Sequence, residues 1–406
     1  MKIRVRKLNA ESNFSTAEKL ILLVLFLSFI NFKLYGMHLM LGAFLLFCGI
    51  KGRLMVPAGV IPMFVLTGSL LLFQNGAFGG LTIIIQNIIW PVAFLLGYGM
   101  LASVACGEPD MERRMMSLVK LAVLGTLAHY LLNMLNNGST VALGRNTLDV
   151  WTGQASGATG QAALAVIPMA YAIVSIVNAG SFRKSLTGIF VVLVILYYNL
   201  TLGTRILLVS LPILFIVALI YHLRTNTSAQ RRKTIVVILV IIIACIWLYS
   251  INAWGIRDII DESVLSQRYE TNEMDIAEDG RWERKAKYLK LMPQHLFGGG
   301  HIHAMVDGYA HDVFLDTYDD AGIFALMAVI AIIWNAISKL RKLVKDPQIN
   351  NSFKLTMLCI YVAIFIVFAV EPILDGIPWL LMIFCFCNGM LTALVQRNRD
   401  AESTQQ

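Results

Sequence analysis

Three residues in this chain combine a reactive type with a telling place. Arg205 follows Gly203-Thr204 at the head of an apolar stretch. A helix start leaves backbone N–H groups free and carries a partial positive charge, and arginine adds a planar, bidentate donor. That combination suits a phosphate. Arg281 stands in a similar place, after Gly280, at the head of a basic segment that reaches Met292 and is stopped by Pro293. Two such arginines on one face of a membrane suit a diphosphate. His311 opens the next long apolar stretch. An imidazole there can exchange a proton near neutral pH and act as general base toward a sugar hydroxyl. Asp312, Asp316, Asp319 and Asp320 follow on the same predicted helix, and Tyr318 lies about two turns from His311 near its face. Ionised groups that far into an apolar helix are costly and usually functional. Carboxylates beside an aromatic ring suit sugar recognition. The plainer readings are an interfacial arginine snorkelling to headgroups, a basic helix paired with the acids before it, and a solvated vestibule.

The elements that must hold these groups belong in lipid. The 406 residues are 57% hydrophobic and 14% charged, with a mean hydropathy of +0.70. A soluble domain cannot keep that much apolar surface from water. Twelve apolar runs are expected as spans: 17–32, 34–50, 54–73, 81–104, 115–135, 158–178, 184–200, 204–222, 234–254, 311–337, 353–371 and 373–395. A hydrocarbon core of about 30 Å takes roughly 17–25 helical residues. In lipid such runs should be helices, because lone strands leave backbone groups unpaired. The first run lacks a small-x-small cleavage site, so it is expected to stay as a span. No internal repeat and no Pro/Gly/Ser-rich linker interrupts the pattern. The expected architecture is therefore all-α and polytopic, a single integral-membrane domain over 1–406 with one large extracytoplasmic loop, 255–310, between spans 9 and 10.

The net charge of +8 sets topology rather than a nucleic-acid partner. With the first residue inside, 23 of the 33 Lys and Arg fall in cytoplasmic segments, and seven of the remaining ten lie in loop 255–310. This is the positive-inside bias, and it predicts cytoplasmic termini and an extracytoplasmic long loop. Within that loop 258–279 is acidic and 281–290 basic. Trp282, Ala286, Leu289 and Met292 recur at steps of three or four, predicting an amphipathic helix at the membrane surface. His301-Ile302-His303, with His295 and Asp307 nearby, matches no closed zinc spacing and lacks cysteine, so no metal is expected. Gly298-Gly299-Gly300 lacks the Lys-Ser/Thr that follows a phosphate loop. His129, inside the fifth span, reads as a buried inter-helix hydrogen bond. The six cysteines lie in or beside apolar runs and predict no disulfide framework. Arg145 in loop 136–157, Lys285 on the basic helix and Glu371 in hairpin 371–379 complete the candidate binding set.

Three ordered patterns resemble the O-antigen ligase/polymerase superfamily of bacterial membrane glycosyltransferases. The first is Gly203-Thr204-Arg205-Ile206-Leu207-Leu208. The second is Gly280-Arg281-Trp282, followed by Pro293 and Phe297-Gly298-Gly299-Gly300. The third is His311-Asp312-Val313-Phe314-Leu315-Asp316 with Ala321-Gly322-Ile323. The resemblance covers roughly the second half of the chain. Asp312 stands where that family usually has Asn, and Ala325 replaces its second glycine. The resemblance implies a GT-C-type helical membrane fold, an undecaprenyl-diphosphate-linked oligosaccharide as donor, and inverting transfer that needs no metal or other cofactor. It makes Arg205 and Arg281 diphosphate binders and His311 the base or the group that orients the acceptor. Asp312, Asp316, Tyr318, Asp319, Glu371, Lys285 and Arg145 are the expected substrate contacts.

That expectation places the chain in a bacterial cytoplasmic membrane with its site facing the periplasm or exterior, among membrane lipid, and beside a flippase and a chain-length regulator. A polymerase of O-antigen, capsule or exopolysaccharide repeat units is favoured. An O-antigen ligase, with lipid A-core as acceptor, uses the same donor. A polysaccharide-lipid flippase is the more remote reading, since a transporter places its polar site near the midplane.

Overall fold

The computed structural model describes residues 14–52, 54–103, 111–137, 146–178, 182–270 and 280–405. It is overwhelmingly helical. The first apolar helices are α1 (Thr16–Phe29), α2 (Gly36–Lys51), α3 (Ile61–Phe73), α4 (Leu81–Ala102) and α5 (Met111–Asn137). Two short antiparallel strands, β1 (Asn146–Leu148) and β2 (Ala155–Gly157), precede α6 (Ala158–Val177), α7 (Phe182–Leu202), α8 (Ile206–Thr225) and α9 (Ser228–Ser250). Four small helices follow: α10 (Ile256–Asp261), α11 (Val264–Glu270), α12 (Arg281–Leu291) and α13 (His301–Val306). The chain closes with α14 (Val313–Lys345), α15 (Asn351–Val370), α16 (Ile373–Gly376) and α17 (Pro378–Gln405).

Every one of the twelve predicted runs holds an apolar helix. Among the described residues nine are long and apolar enough to cross a membrane: α4 to α9, α14, α15 and α17. The first three are shorter, at 14, 16 and 13 residues. Their boundaries have local causes. Asn31, Lys33 and Leu34 take positive φ between α1 and α2, and Gly52 ends α2 in the left-handed region. Pro62 stands in the first turn of α3. The strand pair is the exception to an all-helical expectation: Asn137 and Asn133 on the last turns of α5 take up the backbone of Leu148 and Val150, which holds β1 against that helix.

Side-chain bonds define two ends. At one, Glu18 near the start of α1 pairs with Lys51 of α2 at 3.1 Å and with Arg114 of α5, while Glu112 accepts from the Asn350 N–H ahead of α15. At the other, His129 bonds the Ile30 carbonyl at 3.0 Å and meets Trp379 edge-on at 5.2 Å. That buried histidine is the inter-helix bond its position predicts. Tyr130 donates to the Ile195 carbonyl at 3.0 Å, and Gln86 at the start of α4 donates to the Leu374 carbonyl at 2.8 Å. These bonds gather the ends of α1, α5 and α7 and the starts of α4 and α17. Arg205, between α7 and α8, belongs to this end, as does the turn after α15.

Packing explains which helices form the centre. Gly97 of α4 and Gly389 of α17 face each other's backbones: a Cβ at Gly97 would strike the Phe386 carbonyl, and one at Gly389 the Phe94 carbonyl. Small residues of this kind let membrane helices approach at backbone distance. α9 is the opposite case, with Ile243 and Ile246 each 64% exposed and apolar side chains all round. An all-apolar exposed helix is at home against lipid tails.

The span expected over 311–337 holds one further feature. α14 starts at Val313 and breaks at Ala321 (φ −141°, ψ 17°) and Gly322 (φ 76°, ψ −164°). Val313–Asp320 is thus a short arm and the remainder a long rod. The cause is a backbone crossing. Gly298, itself at φ 76°, lies so close to the break that a Cβ there would stand 2.5 Å from the Gly322 nitrogen. The Gly299 and Gly300 amides donate to the Asp320 and Asp319 carbonyls, and the Ile323 amide donates to Leu296. The glycine run has a packing role. It lets the long loop dock backbone-to-backbone on a broken helix.

Candidate functional site

The turn after α15 is the floor of the site. The helix ends at Val370, and its last carbonyls carry the negative end of the dipole. α12 lies across them. Lys285 donates to the Ala369 carbonyl at 3.4 Å and Arg281 to the Val370 carbonyl at 3.5 Å. Lys285 also pairs with Asp312 at 3.1 Å. Asp312 meanwhile caps α14, its other oxygen accepting from the Phe314 and Leu315 amides at 3.0 and 3.4 Å. Four candidates from three separate stretches of sequence, Arg281, Lys285, Asp312 and Glu371, thus meet in one place.

His311 joins them. Its Nδ1 lies 3.9 Å from Glu371 Oε2, beyond hydrogen-bond distance, and has no hydrogen-bond partner although it is buried. Glu371 itself is only 4% exposed. The His311 backbone adopts φ 54°, a left-handed conformation uncommon outside glycine, though Asn, Asp and His take it more readily than other side chains. Asp316 holds it there. One carboxylate oxygen accepts from the Ala310 amide at 2.8 Å and the other from the Asp312 amide at 3.0 Å, so the acid grips the residues on either side of the histidine. Backbone strain of this order, about 1–3 kcal/mol, persists where the surroundings over-determine it, and such places cluster at functional sites.

Three of the expected substrate contacts have their polar atoms engaged within the fold. Asp316 has both oxygens committed to the backbone around His311. Asp319 is committed likewise: it accepts from the Ile302 and His303 amides at 2.7 and 3.0 Å and from His303 Nδ1 at 2.9 Å. Tyr318 is 2% exposed and donates its hydroxyl to the Met292 carbonyl at 2.5 Å, packed with Tyr288, Ile302 and Ala310. Asp316 and Asp319 are buried and brace the segment that carries the two histidines.

The apolar stripe expected on α12 points outward, as a helix lying at a membrane surface requires. Trp282 and Leu289 are exposed, at 70% and 60%, while Tyr288 is fully buried, with Arg281, Arg284, Lys285 and Leu291 partly so. The inward face is thus basic and aromatic. Apolar spacing gives no sign of what that face meets, because it docks on carbonyls and a carboxylate rather than on an oily core. Burial and the nearby carboxylates Asp319, Asp316 and Asp320 push the Tyr288 phenol up. The same two causes raise Tyr309, with Asp375 the foremost of its acidic neighbours.

Arg205 is the residue before α8 rather than within it, and is half-buried. The turn beneath it is tied by Asn199, whose amide donates to the Thr204 carbonyl at 3.1 Å while its oxygen accepts the Thr204 hydroxyl. Arg145 lies outside the described residues. His303 is the residue that sequence reasoning passed over. Its ring stacks on Tyr309 with centroids 5.3 Å apart and planes at 17°. Asp319, sixteen residues away, was the available signal, but the spacing carries no helical or strand period. Among the described residues no three His, Cys, Asp or Glu side chains are grouped to hold a metal ion. No protein-family model and no curated protein matches this chain.

Proposed function

We propose that this chain is a membrane glycosyltransferase of the O-antigen ligase/polymerase kind, and specifically a polymerase of surface-polysaccharide repeat units. It has twelve spans in a GT-C-type arrangement, with α1 to α3 crossing as short or tilted helices. Both termini face the cytoplasm, and the end carrying α12 and α13 faces outward. The donor is a glycan on undecaprenyl diphosphate, and the acceptor is the next lipid-linked repeat unit. The observation that carries the reading is the convergence of Arg281, Lys285, His311 and Glu371 at the turn after α15, at the end of the bundle that also bears Arg205.

The chemistry follows from those groups. The acceptor hydroxyl attacks the anomeric carbon from the face opposite the diphosphate, and the bond to the phosphate oxygen breaks. Negative charge develops on the leaving lipid diphosphate. Arg205 and Arg281 stabilise that charge in a water-poor setting, where fixed donors are most effective. His311, fixed by Asp316 and facing Glu371, orients the acceptor beside the reacting carbon. Inversion is the stereochemical outcome of a single displacement. A polar cluster confined to one end of the bundle fits an enzyme working on one side of the membrane better than a transporter with a midplane site.

The test is Arg281→Lys, which keeps the charge and removes the planar fork. Loss of one such donor to a developing anion costs roughly 10²-fold or more in rate. Polymer length and yield equal to wild type in that variant contradict the diphosphate role. In cells, loss of a polymerase leaves single repeat units on the lipid at the outer face. Loss of a flippase traps them inside, and loss of a ligase leaves long polymer on the lipid.

A further inference from the structure

Two histidines flank the segment that joins α13 to α14, and their surroundings differ. His311 Nδ1 is buried without a hydrogen bond, with Glu371 held off at 3.9 Å. His303 Nδ1 bonds Asp319 Oδ2 at 2.9 Å. Asp319 is 2% exposed and is fixed by the Ile302 and His303 amides, so it cannot swing away. Both Asp319 oxygens already accept backbone N–H groups, so the carboxyl faces Nδ1 as an acceptor, the pairing that puts the hydrogen on Nδ1 and the lone pair on Nε2. The ring is pinned flat against Tyr309. Its side chain is 36% accessible, and among the described residues Nε2 has no hydrogen-bond partner. A carboxylate behind one nitrogen and a reachable lone pair on the other is the arrangement by which a histidine accepts a proton in acyl transfer.

The groups facing His303 come from three elements. Asp319 lies on α14 and Tyr309 on the connecting segment. Burial holds the carboxyl of Asp375 on α16 above the usual range, against a smaller opposing pull from His303. Asp320, next to Asp319, keeps one oxygen buried without a hydrogen-bond partner. Asp316 and Asp319 stand one turn apart on the short arm of α14; the first grips the backbone on either side of His311 and the second holds His303, so both histidines are tied to one arm.

We propose that His303, oriented by Asp319, is the proton acceptor of the transfer reaction. This rests on the glycosyltransferase reading given above. As the acceptor oxygen bonds to the anomeric carbon and the carbon–oxygen bond to the diphosphate breaks, the hydroxyl proton passes to His303 Nε2. The electron pair leaves with the diphosphate, and the imidazolium is stabilised by Asp319. His311 orients the acceptor and takes no proton.

The experiment uses the full chain in lipid vesicles with an undecaprenyl-diphosphate-linked repeat unit, comparing wild type, His303→Ala, Asp319→Asn and His311→Ala with and without added imidazole. General-base catalysis contributes roughly 10²–10⁴-fold, so His303→Ala should fall by at least about 10²-fold. Imidazole should restore part of that rate by entering the slot against Tyr309, and donor binding should be unchanged. Asp319→Asn keeps an oxygen for only one of the Ile302 and His303 amides but leaves the His303 ring in place, and should lose less rate than His303→Ala. His311→Ala should show no rescue. Wild-type rates in His303→Ala, or rescue of His311→Ala instead of His303→Ala, overturn the assignment while leaving the glycosyltransferase reading intact. A wild-type chain that transfers nothing removes both.

Discussion

Replacing Gly322 by alanine tests the geometry on which the whole site depends. The residue sits at φ 76°, ψ −164°, a region essentially reserved for glycine, and a Cβ there would lie 2.6 Å from the Phe297 Cα and closer still to the Leu296 carbonyl. The conformational part costs about 1–3 kcal/mol. Forcing extra volume into packed backbone costs a further 1–3 kcal/mol or so. The expected loss is therefore roughly 2–6 kcal/mol, a large share of the 5–15 kcal/mol or so that holds a typical fold together. Gly298→Ala should behave alike, since its Cβ would meet the Ala321 nitrogen at 2.6 Å. The two changes break one crossing, so the double variant should lose less than the sum of the singles. Gly42→Ala is the control: it lies inside α2 with nothing within 4 Å of its Cβ, and alanine there should be neutral or stabilising by up to about 1 kcal/mol. Thermal unfolding of the detergent-solubilised protein, followed by tryptophan fluorescence, measures all four. Gly322→Ala within about 0.5 kcal/mol of wild type, or a strictly additive double variant, would show that no such crossing exists.

Further expectations rest on other parts of the structure. Asp316→Asn presents an amide hydrogen to a backbone N–H beside His311; it should destabilise the 310–312 turn by about 1–3 kcal/mol, seen as faster proteolysis of that segment, and should lower activity. Tyr288→Ala removes a buried aromatic and should cost about 3–5 kcal/mol, whereas Leu289→Ala, one residue on and exposed, should stay within about 0.5 kcal/mol; parallel melting curves in detergent compare them. Gly389→Leu should separate α4 from α17 and reduce the yield of folded protein in size-exclusion chromatography, because no side chain fits against the Phe94 backbone.

Composition and apolar run length were enough to locate the helices, because lipid imposes both a length and a need for internal backbone pairing. They could not foresee the short α1 to α3, whose ends depend on left-handed turns at Asn31, Lys33 and Gly52. The candidate site was legible as residue types at helix starts: Arg205, Arg281 and Asp312 stand within a residue of α8, α12 and α14. The roles of the acids were not legible. Asp316 and Asp319 were read as exposed to substrate because helical spacing says which face a residue shares, not what covers that face. What covers it is the loop, brought back by the Gly298–Gly322 crossing, a contact between residues 24 apart with no periodic trace. The docking of the basic face of α12 is equally without a periodic trace. A basic helix that binds the carbonyl end of another helix buries its charges, and a hydrophobic stripe is then a poor guide to its inside.

The most direct measurement reconstitutes the purified chain in vesicles with a single lipid-linked repeat unit and follows the glycan by mass spectrometry. Polymerase action predicts a ladder of products at integral multiples of the repeat mass, with undecaprenyl diphosphate released in step and a newly formed linkage of inverted configuration. A substrate that remains at one repeat per lipid, whether moved across the vesicle membrane or left where it was, contradicts the account.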